Sequence, residues 1–263
     1  MSLLIDAHCH LTGEEYGAVG GVEQVLKRAK EAGVERVIVS GYDMDSSLSA
    51  KELSERHEAV YFTAGFHPSE LNKYKEGDLN VFERLFAHEK CVAAGEIGLD
   101  YHFPDNPERA FQKELFAAQL VLADRAGLPI VVHSRDAAQD TLDLLREHKS
   151  YLKKGGLMHC YSYSPEMVAP FAELGLYFSF GGTSTFKNAK KVHESAKIVP
   201  SDRILTETDA PYLAPEPFRG TFPNECKNIR RIAENLSALR GEKEEELEEK
   251  IAANAKRLFF KLG

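Results

Sequence analysis

Short apolar runs alternate with longer amphipathic stretches along the whole chain, and this alternation constrains the fold more than any other feature. The short runs are rich in β-branched residues, which favours strands, whereas the longer stretches repeat apolar residues at the spacing of a helix face. The predicted strands span residues 3–8, 34–40, 60–66, 91–97, 129–133, 156–159, 177–181 and 203–207. The predicted helices span residues 22–32, 46–57, 78–88, 107–126, 136–148, 165–174, 188–197 and 225–239. Strand followed by helix, eight times over, favours a parallel barrel over an open sheet.

The length of the chain agrees with a single barrel. Its 263 residues lie close to the ~250 that are typical of a TIM barrel. The sixth strand has the weakest signal, because only Leu157 and Met158 follow a pair of glycines there. A further helix is predicted near residues 243–260, where an acidic start suits the positive end of a helix dipole. We therefore predict an α/β fold, a (β/α)8 TIM barrel with an additional C-terminal helix, in one domain over residues 1–263.

The composition limits where the protein is expected to be located and which partners it is expected to bind. No run of about 18 apolar residues occurs and no signal-peptide pattern opens the chain, so we expect a cytoplasmic protein without a membrane partner. The four cysteines are scattered without a Cys-x-x-Cys pair, which favours reduced thiols over disulfides or a zinc ribbon. The net charge of -8 repels nucleic-acid phosphates at long range, which argues against a protein that coats or slides along DNA.

Two histidines at the end of the first strand are the first sign of chemistry. His8 and His10 are two residues apart, so the alternation of a strand points both imidazoles to one side while Cys9 points to the other. Two such side chains can bind one metal ion. Taken alone, a pair of this kind is more often a surface or core feature than a metal site.

Other strand ends carry residues of the same kind. Glu96 ends the fourth strand, where a carboxylate in an apolar run is costly unless it is paired or coordinated. His133 and His159 close the fifth and sixth strands, and Asp209 follows the eighth. In a barrel, the carboxyl ends of all strands meet at one mouth, where the active sites of this fold lie. The spacing therefore predicts that four histidines and two carboxylates converge there.

Six such residues exceed what one tetrahedral ion needs. They suit two ions with a carboxylate between them, an arrangement that supports hydrolysis. Imidazole ligands favour zinc or manganese, with iron and cobalt as related choices, over magnesium, which prefers oxygen. We predict two divalent metal ions as cofactors, zinc or manganese first and magnesium as the alternative.

Several segments resemble the TatD family of metal-dependent deoxyribonucleases among the amidohydrolase-like barrels. The matching segments are Asp6-Ala7-His8-Cys9-His10, Gly65-Phe66-His67-Pro68, Gly95-Glu96-Ile97-Gly98-Leu99-Asp100-Tyr101, His133-Ser134-Arg135-Asp136-Ala137, His159-Cys160-Tyr161 and Glu207-Thr208-Asp209-Ala210-Pro211-Tyr212-Leu213. Each is weak alone, but their order and spacing match over nearly the whole chain.

The resemblance implies a role for each of the six residues. His8, His10 and Asp209 would bind one ion, His133 and His159 the other, and Glu96 would bridge them. Asp209 would also accept a proton from the attacking water, so Asp209 and Glu96 are the expected catalytic residues. Glu207 would support a ligand without binding metal itself.

The resemblance also implies a substrate. Family members act as 3′-to-5′ exonucleases on single-stranded or damaged DNA and sometimes RNA, so the expected partner is single-stranded DNA. His67, Tyr101 and Arg135 stand where a phosphate would bind. For His67 the alternative is a role in bracing its loop, and for Arg135 it is an ion pair with Asp136 or Asp140 at the start of a helix. Tyr161 and Tyr163 would either stack on a base or pack within their loop.

Two departures from the family pattern concern substrate binding. Thr221-Phe222-Pro223 stands where members often carry a basic pair, and Ser69 stands where a second histidine often follows His-Pro. The alternative functions are a related barrel hydrolase that acts on another ester or amide, such as misacylated tRNA, and a catalytically silent metal-dependent binding module.

Overall fold

The computed structural model describes residues 4–263 and contains eight parallel strands in the sheet order β1 to β8, so the predicted barrel is confirmed. The strands are β1 (Leu4–Cys9), β2 (Val34–Ser40), β3 (Val60–Ala64), β4 (Cys91–Asp100), β5 (Ile130–Arg135), β6 (Gly156–Met158), β7 (Leu176–Phe180) and β8 (Ile204–Thr206). The weakly predicted sixth strand is present and pairs with both of its neighbours. The predicted start of the first strand at Leu3 lies outside the described residues.

A helix follows each strand. The helices are α1 (Val22–Glu31), α2 (Met44–Arg56), α3 (Asp78–Phe86), α4 (Arg109–Ala126), α5 (Ala138–Glu147), α6 (Val168–Ala172), α7 (Lys190–Ile198) and α8 (Ile229–Arg240), with the additional helix α9 (Glu244–Leu258). The predicted α9 packs where the sheet closes, because the Asn254 amide donates to the carbonyl oxygens of Ser201 and Ile204 beside β8. Within residues 4–263, no helix is long and apolar enough to cross a membrane.

The ring of strands closes at the carboxyl ends of β1 and β8. The Asp209 amide donates to the His8 carbonyl at 3.0 Å, and the His10 amide donates to the Ala210 carbonyl at 2.6 Å. Beneath these bonds, the buried carboxylate of Asp6 accepts from the amide of Thr208 at 2.9 Å and from its hydroxyl at 2.6 Å. The contacts that close the barrel therefore lie within two residues of three predicted metal ligands.

Two glycines let β4 pass close to β5 and extend beyond its predicted end at residue 97. A Cβ on Gly95 would lie 2.6 Å from the Cβ of Val131, and one on Gly98 would lie 1.9 Å from the His133 carbonyl oxygen. Gly98 also has a φ of 147°, which other residues rarely adopt. Because any side chain there would push the strands apart, these glycines fix how Glu96 lies relative to β5.

The closure contact predicts a stability effect of Thr208→Val, which keeps the shape of the side chain but removes the donor to Asp6. A buried carboxylate that loses a hydrogen bond is left poorly solvated, so we expect the free energy of unfolding to fall by about 2 kcal/mol. Urea denaturation followed by circular dichroism measures this change. Thr221→Val, at an exposed threonine, is the matched control and should change the midpoint little. Equal midpoints for both variants would contradict a stabilising role for the contact.

Candidate metal centre

The structure brings all six predicted ligands together at the carboxyl ends of the strands. His8 belongs to β1, Glu96 to β4 and His133 to β5, whereas His10, His159 and Asp209 lie just beyond β1, β6 and β8. Potential ligand atoms of His8, His10 and Asp209 form one compact group, and those of Glu96, His133 and His159 form another. These are the two groups that the family resemblance implies, with Glu96 shared between them.

Glu96 lies at the centre of the cluster and is almost fully buried. Its Oε2 atom lies 3.2 Å from Nε2 of His8 and 3.7 Å from Nε2 of His10. Its Oε1 atom lies 2.8 Å from both Nδ1 of His133 and Nε2 of His159. Each carboxylate oxygen thus faces a different pair of histidines.

Asp209 completes the first group. Its Oδ1 atom lies 3.7 Å from Nε2 of His8 and 3.5 Å from Nε2 of His10. Its backbone has a φ of 51°, in the left-handed region that aspartate tolerates better than most residues. The hydrogen bond from its amide to His8 holds the residue in this conformation.

Polar groups face three of the histidines on the side away from the cluster, and at His10 the partner fixes the position of the proton. Nδ1 of His10 lies 3.0 Å from the Ser40 carbonyl oxygen, which can only accept, so this nitrogen carries the proton and Nε2 presents a lone pair. Nδ1 of His8 lies 2.9 Å from the Ser40 hydroxyl, and Nδ1 of His159 faces Oε1 of Glu207 at 3.6 Å. Metal-binding histidines are oriented by outer partners of this kind.

The donor set fits cations. With Nδ1 of His10 protonated, the two Nε2 atoms of His8 and His10 approach to 3.2 Å beside two carboxylates. Ligands held at 2.0–2.1 Å around a tetrahedral ion lie about 3.3 Å apart. The separations within the first group, 3.2 to 3.7 Å, are close to this value. Lone pairs and carboxylate oxygens that face each other so closely need positive charge between them.

The pKa shifts also indicate that the cluster requires positive charge. Burial alone would raise the pKa of Glu96, but the surrounding histidines, His159 foremost, hold it well below the ordinary value. Burial lowers the pKa of a histidine, yet those of His133 and His159 are raised because neighbouring carboxylates outweigh burial. Bound cations would supply the charge that protons supply in the metal-free cluster.

Two residues of the site escaped the sequence analysis. Oδ2 of Asp100 lies 3.1 Å from Nε2 of His133 and so supports this ring from outside the cluster. Asp100 lies four residues after Glu96 on the same strand, and this even spacing places both side chains on one face of the strand. The spacing could therefore have indicated a role for Asp100. Ser40 supports His8 and His10, and its signal was a polar residue that ends the apolar run of β2.

His67 reaches the cluster from the loop after β3. Its Nε2 atom lies 3.5 Å from Oε1 of Glu96, and its ring contacts that of His133 edge to face. The Ser69 amide donates to Nδ1 at 3.1 Å, so the neutral ring carries its proton on Nε2. Burial and the neighbouring His133 lower the pKa of His67 to about 3. Ser69 therefore fixes His67 as a neutral hydrogen-bond donor toward the centre.

The structure places Tyr101 outside the metal cluster. Its hydroxyl donates to Asp140 at 2.8 Å, and the Arg109 guanidinium stacks on its ring. A role for Tyr101 in binding phosphate stays a prediction.

Arg135 ends strand β5, whereas the sequence analysis placed it at the start of a helix; α5 begins only at Ala138. Its exposed guanidinium stacks on the Phe103 ring. Asp136 pairs with His102, and Asp140 pairs with Lys113. The alternative ion pair of Arg135 with either aspartate is therefore wrong.

The two tyrosines after β6 differ in exposure. Tyr161 is buried against Phe178 and Phe180, so packing, and not base stacking, is its role. The Tyr163 hydroxyl lies 2.9 Å from that of Ser134 and accepts from the Ala137 amide.

Comparisons with known proteins agree with this geometry. Residues 5–260 match the family model described as TatD related DNase. The chain is 42% identical to the uncharacterized metal-dependent hydrolase YabD of Bacillus subtilis, over 98% of this chain and 99% of that protein. It is 38% identical to the uncharacterized metal-dependent hydrolase YcfH of Escherichia coli, over 97% and 95% of the two chains. The crystal structure of YjjV, a TatD homologue from Escherichia coli, superposes with a TM-score of 0.91 at 32% identity and 98% coverage of both chains.

The position of Glu207 predicts an effect of Glu207→Gln on metal binding. The new amide would present N–H groups to Nδ1 of His159 and favour the tautomer whose proton faces Glu96. We expect the affinity for one of two bound ions to fall by about 10- to 100-fold, as measured by competition with a fluorescent chelator. Glu248→Gln, at a buried glutamate that pairs with Arg230, is the matched control and should bind metal normally. Unchanged affinity in Glu207→Gln would show that Glu207 does not orient His159.

Proposed function

The chain belongs to the TatD-related DNase family of metal-dependent hydrolases, and we propose that its reaction is the hydrolysis of phosphodiester bonds. More narrowly, we propose 3′-to-5′ exonuclease action on single-stranded or damaged DNA. The observation that carries the proposal is the carboxylate of Glu96, whose two oxygens face two separate pairs of histidines. Two cation sites that share a carboxylate suit the in-line displacement of one phosphate oxygen by another.

The proposed reaction uses two divalent ions. His8, His10 and Asp209 would hold the first, His133 and His159 the second, and Glu96 would contact both. Nitrogen ligands predominate, which favours zinc or manganese over magnesium. Bound ions of this kind activate water at neutral pH and polarise a phosphoryl oxygen.

Residues of the chain position the proton and the phosphate. Burial raises the pKa of a carboxyl group, but the neighbouring histidines His10, His8 and His159 lower that of Asp209, so its carboxylate stays ionised and can accept a proton from water. Nε2 of His67 carries a proton toward the cluster and can donate to a phosphate oxygen. This donor suits the negative charge that develops on the phosphoryl group.

A cavity of about 470 Å³ beyond β5 offers a path for the substrate strand. Arg135, Lys191 and the residues Ser162 to Ser164 contribute to its lining. Asp136 also lines the cavity, but its carboxylate pairs with His102, so the cations of Arg135 and Lys191 and the two serine hydroxyls suit a sugar-phosphate backbone. Because the protein as a whole carries a charge of -8, such a local basic site favours binding of a strand end over coating of DNA.

A substrate panel tests the proposal. Protein reconstituted with manganese, zinc or magnesium should release mononucleotides from single-stranded DNA, as measured with a label on the 3′ nucleotide, and should act more slowly on duplex DNA. RNA and aminoacyl-tRNA complete the panel. Hydrolysis of aminoacyl-tRNA with no action on DNA would assign the barrel to another ester, and DNA binding without cleavage would indicate a binding module.

Glu96→Ala removes the carboxylate that both histidine pairs face. We expect hydrolysis to be abolished and metal content to fall, while circular dichroism shows a folded barrel, because the strands themselves are unchanged. Turnover near that of the parent protein would contradict the bridging role.

Arg135→Ala tests the path of the substrate strand. Loss of one phosphate contact should weaken single-strand binding equally for different sequences and reduce the slope of log K against log salt by about 0.7. Arg231→Ala removes the same charge from the outer helix α8, where Arg231 pairs with Glu234, and serves as the control. If both variants gave the same slope of log K against log salt as the parent protein, a contact between Arg135 and a phosphate would be excluded.

A further inference from the structure

Two exposed aromatic rings lie beside the first histidine group, in the loop between β8 and α8. The side chains of Tyr212 and Phe222 are 54% and 60% exposed, although aromatic residues of this size are usually buried. Their ring centroids are 6.2 Å apart, and that of Tyr212 lies 6.3 Å from the ring of His10. The rings therefore continue directly from the predicted metal centre to the protein surface.

The loop holds these rings in place through Asn224, which is fully buried. Its side-chain amide donates to the carbonyl oxygens of Thr208 and Tyr212, and its backbone amide donates to that of Pro211. These bonds join the two ends of the loop and bring Tyr212 and Phe222 to the same side. An aromatic surface that is ordered before binding loses less entropy when a ligand stacks on it.

The charge around the rings favours an uncharged ligand. The acidic side chains of Glu15 and Glu70 act electrostatically on Tyr212 from this side of the centre. A phosphate would be repelled on this side of the centre, whereas Arg135 and Lys191 lie in the cavity beyond β5. A nucleotide that spans the mouth would thus meet aromatic rings on one side and cations on the other.

We propose that Tyr212 and Phe222 form a stacking platform for a nucleobase next to the scissile phosphate of a single-stranded substrate. This inference rests on the proposed function and deepens it, since it states what is recognised in addition to phosphate. Every base has an aromatic face, so stacking binds single strands without a strong sequence preference. In duplex DNA the faces are covered by neighbouring bases, so the platform selects unpaired ends.

The sequence of the loop agrees with this role. Thr221-Phe222-Pro223 stands where a basic pair was expected by resemblance, so the chain presents a ring where positive charge would have contacted phosphate. The nearby Arg219 guanidinium is turned onto the Phe186 ring, with 4.1 Å between the two groups, and pairs weakly with Glu216. Affinity on this side therefore depends on stacking more than on charge.

Binding of two single-stranded oligonucleotides tests the platform. One is an intact ten-nucleotide strand, and the other lacks the bases of its last two 3′ nucleotides, which flank the bond that an exonuclease cuts. The last linkages at the 3′ end of each strand are phosphorothioates, which resist cleavage, so that protein with an intact metal centre can be used in the presence of manganese. Fluorescence anisotropy gives the Kd of each complex, and quenching of 2-aminopurine at the 3′ end reports stacking directly.

The double variant Tyr212→Ala/Phe222→Ala should bind the intact strand about 5- to 150-fold more weakly, in line with the ~1–3 kcal/mol that stacking contributes per base. It should also lose the quenching of 2-aminopurine, whereas Tyr212→Phe should retain both. The abasic strand should bind to the parent and the double variant equally. Phe218→Ala, at an exposed ring of the same loop without a ring partner among the described residues, is the matched control and should behave as the parent.

The outcomes separate this inference from the proposed function. If the parent binds intact and abasic strands equally, or if the double variant loses affinity for both alike, the platform is refuted while a nucleic-acid substrate is retained. If the parent binds neither strand, the proposed substrate is refuted and the platform with it.

Discussion

The burial of the Glu96 carboxylate is the constraint on which the rest of the structure depends. Removing a carboxylate from water is costly unless positive charge and hydrogen bonds replace its hydration. Here five histidine side chains from distant parts of the chain surround it, and none of them is placed beside it by local sequence alone. The arrangement is stable only if the barrel brings their strands together and cations or protons supply the missing charge. Metal affinity and folding are therefore linked through this one group.

Closure of the barrel and assembly of the site use the same residues. The amide of Asp209 bonds to the carbonyl of His8, so the hydrogen bond that joins the last strand to the first also sets the distance between two predicted ligands. Asp6 lies directly beneath and connects the same two strands through Thr208. Consequently a substitution that weakens the contacts between β1 and the residues after β8 should disturb the metal centre before it unfolds the protein. Stability and function cannot be optimised separately at this place in the fold.

The sequence predicted much of the fold and of the ligand set, because both follow from short-range periodicity. Alternation along β1 places His8 and His10 on one side, and the end of each strand in a barrel faces one mouth. The residues that support the ligands were harder to find, since their role depends on contacts between strands. The sequence shows Asp100 only as one residue of a motif, and its role follows from its contact with His133 on the neighbouring strand. Arg135 was misplaced because the strand continues two residues past His133, where pairing with the longer β4 extends it.

The two sides of the mouth differ in a way that bears on how a protein with a net charge of -8 would bind the proposed single-stranded DNA. General attraction of DNA is disfavoured by a net charge of -8, so affinity has to arise from short-range contacts. In the proposed function, cations bound at the centre and Arg135 beyond it would supply local attraction for a phosphate, whereas Tyr212 and Phe222 would offer stacking contacts that do not depend on charge. A duplex can use the first kind of contact but not the second, because its bases are already stacked. In the proposed complex, long-range repulsion together with short-range stacking would therefore turn weak overall affinity for DNA into selectivity for unpaired ends.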